Sequence, residues 1–163
     1  MAIIFLVGFM GSGKTSVGHQ LAAYLQYNFI DLDDLIIKET NLSINDIFSQ
    51  YGESYFRQIE HKMLNIVTSY QNTVVSLGGG AYISEQNRQL IKKHGLSVWL
   101  QCDLTVILSR LANDSSRPLH RSPQQMQELL ESRLFAYKQT DFQIDVTNLT
   151  IQDAAKQIEK LFR

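Results

Sequence analysis

The stretch that decides the fold runs from Ala2 to Leu25: AIIFLV at Ala2–Val7, GFMGSGKT at Gly8–Thr15, then SVGHQLAAYL at Ser16–Leu25. Six apolar residues without alternation have the length of a strand buried on both faces. Val17, Leu21, Ala22 and Leu25 then recur at three- and four-residue spacing, the period of an amphipathic helix. The octet between them fits G-x-x-x-x-G-K-[ST]. Glycines let such a loop fold into a nest of backbone N–H groups, and the following helix adds its positive end, so the loop suits a phosphate chain. Lys14 is placed to reach the β- and γ-phosphates and the Thr15 hydroxyl to hold Mg²⁺. Gly11, Ser12, Gly13, Lys14, Thr15 and Ser16 form the expected ATP-binding set.

Outward from this unit, strand and helix signals alternate. Strands are expected at Asn28–Asp31, Thr73–Leu77, Ser97–Gln101 and Phe142–Val146. Helices are expected after Ser43, over about Ser54–Ser69, over Ser84–His94, from Asp103 to Ala112, from Ser122 to about Lys138, and from Thr150 to near Phe162. Ser122-Pro123 with Gln125 is a capping box with proline at the first helical position. The pattern predicts an α/β fold with a central parallel sheet of about five strands, covered on both faces. With 163 residues, no repeat and no linker, a single domain over 1–163 is expected.

Composition removes several classes. Fifteen basic and sixteen acidic residues give a formal charge of −1, so no global basic field draws nucleic acid or an anionic membrane. Cys102 is the single cysteine, which excludes an internal disulfide framework and suits a reducing compartment. The opening run has no basic leader, and no uncharged apolar run approaches the roughly 20 residues of a membrane span. A soluble cytoplasmic protein, monomeric by default, is the expectation.

Chemistry-bearing residues cluster in a few places. Asp31 and Asp33 lie two apart at the carboxyl end of the second strand, the end that faces the ligand crevice of an open parallel sheet. Asp34 is the aspartate expected to cap the next helix. Arg57 and Glu60 are three apart on a helix, close enough to pair. Arg110, Arg117 and Arg133 fall in or beside the polar stretch Asn113–Pro123, and guanidinium forks suit phosphate and carboxylate. Gly78, Gly79 and Gly80 end a strand and can offer backbone N–H groups with no side chain in the way. The strand before them carries Ser76 where a Walker B strand usually has aspartate, which throws more of the metal work on Asp31.

The combination resembles shikimate kinase over nearly the whole chain. The most specific stretch is Ile47-Phe48 through Gly52-Glu53 to Phe56-Arg57-Gln58-Ile59-Glu60, joined by Asp31-x-Asp33, Gly78-Gly79-Gly80, Arg117-Pro118-Leu119, and Arg133 with Tyr137. The resemblance implies a three-layer α/β/α P-loop kinase fold, a substrate-binding region at about 33–61 and a mobile lid at about 113–123. It implies ATP-dependent phosphorylation of the shikimate 3-hydroxyl, on the route to chorismate and aromatic amino acids. Under it Lys14, Asp33 and Arg117 are catalytic. Asp33, Arg57, Gly78, Gly79, Gly80 and Arg133 bind substrate, Thr15 and Asp31 (through water) hold Mg²⁺, and Arg110 lies against adenine with the loop near Asn148 as a weaker partner. Phe135 and His120 depart from the family pattern, where proline and leucine are common. Gluconate kinase and a silent nucleotide-binding module are the competing readings, and retention of Lys14 and Asp33 speaks against the second.

Overall fold

A computed structural model of the chain describes residues 2–113 and 121–163. Its element order is β1 (Ile3–Val7), α1 (Lys14–Leu25), β2 (Asn28–Asp31), α2 (Leu32–Thr40), α3 (Ile44–Val67), β3 (Thr73–Ser76), a 3-10 turn (Ala81–Ile83), α4 (Glu85–His94), β4 (Gly95–Gln101), α5 (Leu104–Ala112), α6 (Pro123–Tyr137), β5 (Phe142–Asp145) and α7 (Ile151–Leu161). The five strands form one parallel sheet in the order β2-β3-β1-β4-β5. All five residues of central β1 are buried, which is why its sequence is apolar without alternation.

The register explains how distant segments meet. Leu6 stands level with Ser76 and with Val98, and Asp31 is also level with Ser76. The loop after β1, the acidic end of β2 and the triple glycine after β3 therefore leave the sheet at one height. The chain leaves β1 toward one side of the sheet and leaves β3 and β4 toward the other, so the connections diverge at this edge and open a crevice.

Several details differ from the sequence expectation. Asp31, not Asp34, caps α2: it has extended dihedrals (φ −95°, ψ 120°), and its Oδ1 accepts from the N–H of Asp33 and Asp34 at 3.0 and 3.2 Å. Asp34 lies inside the first turn, where a carboxylate still favours the positive helix end. The expected break between two helices around residue 54 is instead a kink within α3 at Gly52 (φ 85°, ψ 170°), a conformation costly for any residue with a Cβ. The caps at Ser43, Ser122 and Thr150 fall as expected, the Ser122–Gln125 capping box is complete, and Ser84, expected inside the helix, instead caps α4. Asp103 sits at the start of α5, but its side chain makes no capping bond. No helix of the described residues is long and apolar enough to cross a membrane.

Candidate active site

The loop Gly8–Gly13 joins buried β1 to α1, and Gly13 precedes α1 in the left-handed region (φ 96°) that glycine alone enters cheaply. Lys14 is buried, and its Nζ donates to the carbonyls of Gly8 and Phe9 at 2.7 and 3.0 Å, which holds the ammonium over the loop. Gly11, Ser12, Gly13, Thr15 and Ser16 line the same cleft of about 430 Å³. Arg110 reaches back from α5 to donate to Gly11 O at 3.1 Å. Leu111, Val146, Leu149, Thr150, Ile151 and Ala154 close the cleft's far end, whereas Asn148 does not line it.

Thr15 Oγ1 donates to Asp31 Oδ2 at 3.0 Å. A hydroxyl and a carboxylate oxygen thus share one corner, a donor set that suits Mg²⁺, which takes few protein oxygens and fills its shell with phosphate and water. Asp33 is the next acid along. Burial pushes its pKa above the ordinary 3.8, and Asp31 adds to the rise, while Lys14 and Arg57 pull against it. Asp33 Oδ1 is buried and accepts no hydrogen bond among the described residues.

A second cavity, of about 770 Å³, is lined by Arg57, Glu60, His61, Gly80, Asn87 and Arg133 among others. The triple glycine stands between the two, Gly78 and Gly79 lining the first and Gly80 the second. Each glycine faces a different charged side chain. A Cβ on Gly78 would lie 2.8 Å from Asp33 Oδ1, one on Gly79 3.0 Å from Arg133 Nη1, and one on Gly80 2.8 Å from Arg57 Nη1. Arg57 Nη1 donates to both carboxylate oxygens of Glu60, at 2.9 and 3.2 Å, and Glu60 is almost completely buried. Burial raises the Glu60 pKa above its ordinary 4.5, with Arg57 opposing. Arg133 Nη1 is buried with no hydrogen bond among the described residues, and its guanidinium lies 5.6 Å from the centre of the Phe9 ring.

Asp33, Arg57, Arg133 and the three glycines are therefore brought together beside Lys14 and Thr15. Arg117 and residues 114–120 of the expected lid lie outside the described residues. Sequence reasoning gave Tyr137 no task of its own. Its hydroxyl donates to Gly79 O at 2.6 Å across 58 residues, and no local spacing signals such a bond.

A parallel sheet whose first loop closes on a lysine ammonium, with carboxylates and guanidinium groups gathered where the sheet edge opens, defines a phosphotransferase of the P-loop kinase class. The shikimate kinase family model matches residues 10–162. The shikimate kinase of Thermodesulfovibrio yellowstonii is 39% identical over 98% of this chain and 94% of its own length, and that of Sulfurihydrogenibium sp. is 41% identical over 97% and 96%. The shikimate kinase of Acinetobacter baumannii, solved in complex with shikimate, superposes with a TM-score of 0.93 at 35% identity, covering 99% of this chain and 93% of that one. The chain belongs to the shikimate kinase family.

Proposed function

We propose that this chain transfers the γ-phosphoryl group of ATP to the 3-hydroxyl of shikimate, with the residues above in the following roles. One observation carries the assignment: Asp33, Arg133 and Arg57 each occupy the space that a Cβ would take on one of three successive glycines, next to the phosphate loop. Cations at one end of the acceptor space and a carboxylate at the other fit a small hydroxylated acid. Its carboxylate pairs with Arg57 and Arg133 and takes N–H donors from the glycines. Its ring hydroxyls turn to Asp33.

The phosphoryl transition state is loose, so positioning and charge stabilisation carry most of the rate. Asp33 orients the attacking hydroxyl, and its raised pKa makes it a better acceptor for the departing proton than an ordinary aspartate. Lys14 and Arg117 hold the transferring oxygens. Thr15 and Asp31, the latter through water, would hold Mg²⁺, which when bound would supply charge stabilisation on the phosphates. Arg110 and the wall from Val146 to Ala154 enclose the adenine.

Coupled ADP release with Mg·ATP tests the reading, run with shikimate, with gluconate and without acceptor. Release dependent on shikimate is expected. Release with gluconate alone would overturn the acceptor site while leaving the phosphate site intact.

A further inference from the structure

Glycine loops are poor at holding their own shape, because they lose the most backbone freedom on ordering and carry no side chain to pack. The segment Gly78–Ile83 is held from outside. Every carbonyl along it is occupied. Gly78 O accepts from Ala81 N at 3.1 Å, and Gly80 O accepts from Ile83 N at 3.2 Å. Side chains take the other four: Tyr137 bonds Gly79 O, Asn87 Nδ2 donates to Ala81 O at 2.9 Å, and Arg88 Nη1 donates to Tyr82 O and Ile83 O at 2.9 and 2.7 Å. By contrast, the N–H groups of Gly78, Gly79 and Gly80 donate to nothing among the described residues.

Asn87 and Arg88 open no cavity onto the phosphate loop and belong to no motif of the family resemblance. Asn87 is almost completely buried in the first turn of α4. With its amide nitrogen given to Ala81, its Oδ1 is the acceptor for His61 Nδ1 at 2.6 Å, which fixes the proton on that ring nitrogen. His61 lies on α3, four residues after Arg57. Arg88 also lies over the Phe135 ring of α6, at 5.6 Å from its centre, two residues beyond Arg133. One pair of residues on α4 thus touches the glycine segment and the two helices that bring Arg57 and Arg133.

We propose that Asn87 and Arg88 are positioning residues for the acceptor site: they fasten the carbonyl side of Gly78–Ile83, so that the glycine N–H groups stay unspent and in place for the substrate carboxylate. The inference rests on the carboxylate-acceptor reading given above. Asn87 lines the second cavity, but both of its side-chain polar atoms are engaged, by Ala81 O and His61, so its effect, like that of Arg88, runs through the loop.

The test uses Asn87→Asp and Arg88→Met in the full chain. Asn87→Asp keeps an oxygen toward His61 but turns the donor facing Ala81 O into an acceptor. Arg88→Met keeps the stem and removes both bonds to the turn. Steady-state kinetics should show the shikimate KM raised about tenfold, the size of one lost hydrogen bond, with the ATP KM within about twofold. Amide exchange at Ala81 and Ile83, whose N–H groups bond Gly78 O and Gly80 O, should accelerate while that of β1 does not. A shikimate KM within twofold of the wild type in a folded variant would overturn the inference. So would shikimate and ATP KM values rising together with a falling Tm, the mark of general loosening. If Asn87→Asp does not fold, Arg88→Met at its half-buried site decides alone. A wild-type chain without shikimate-dependent ADP release refutes the acceptor reading, whereas an active wild type with unaltered variants refutes only the fastening.

Discussion

Replacing Gly80 with alanine puts a methyl group where the structure has a guanidinium. The new Cβ would lie 2.8 Å from Arg57 Nη1 and 2.9 Å from Arg57 Cζ. Arg57 Nη2 is closer still, and relaxed contacts of this kind sit near 3.5 Å, so Arg57 must retreat by about an ångström. The backbone does not object, since φ −99° and ψ −5° at Gly80 suit any residue, and a compatible glycine-to-alanine change adds about 0.4–1 kcal/mol of stability. The whole effect therefore falls on Arg57. Its hydrogen bond to a substrate carboxylate is worth about 1.5–3 kcal/mol when well made. Arg57 is 33% exposed and has alternative purchase on Glu60 and Glu53, so the loss is closer to ~1–2 kcal/mol, a rise of about 5- to 30-fold in shikimate KM. The assay is ADP release at saturating ATP with shikimate varied. The ATP KM should stay within about twofold and the Tm should hold or rise slightly. Gly78→Ala is the internal contrast: its methyl meets Asp33 at 2.8 Å, so kcat should fall more than KM rises. A shikimate KM for Gly80→Ala within twofold of the wild type, or indistinguishable kinetics for the two alanines, would refute the reasoning.

Lys14→Met removes the ammonium that bonds Gly8 O and Phe9 O, and kcat should drop by about two to three orders of magnitude in the same assay, since Lys14 is placed on the charge that develops in transfer. Asp31→Asn keeps a helix cap of equal quality but removes the charge beside Thr15. The Mg²⁺ concentration for half-maximal rate should rise while the Tm stays within a few degrees, and an unchanged Mg²⁺ dependence would take Asp31 out of the metal site. Glu60 gives a pH signature. Its folded pKa is raised above 4.5 because burial outweighs Arg57, so the native state holds the proton to higher pH than the unfolded chain does. The stability this contributes is fully present below pH 4.5 and is lost as pH rises through the raised value. Glu60→Gln removes that slope. Melting curves of both proteins from pH 4 upward should show the wild type losing Tm relative to the variant as pH rises, and parallel curves would contradict the burial argument.

Much of the architecture was legible because burial on both faces of a parallel sheet leaves a mark in sequence: β1 had to be apolar throughout, and it is followed by the loop whose glycines its geometry demands. Capping serines and threonines were legible for the same local reason, since each side chain bonds an N–H three residues on. Asp31 and Asp34 could not be told apart this way. Which aspartate takes extended dihedrals depends on where β2 stops, and that is fixed by the pairing of Asp31 with Ser76, a partner 45 positions away. The bonds made by Asn87, Arg88 and Tyr137 were not legible for a related reason: Asn87 and Arg88 reach back to carbonyls of a non-repeating turn and Tyr137 to a carbonyl 58 positions away, and neither arrangement imposes a spacing on the sequence.

The triple glycine shows the limit most clearly. In sequence it reads as a turn or as a row of backbone donors. In the structure none of the three lies at a left-handed φ, so conformational need does not explain them. What they share is the lack of room: Asp33 from α2, Arg133 from α6 and Arg57 from α3 each occupy the space a Cβ would take. Three adjacent glycines thus encode the convergence of three separated helices on one loop. It follows that their alanine variants should differ from one another in kinetic signature, although a turn-forming role would make them alike.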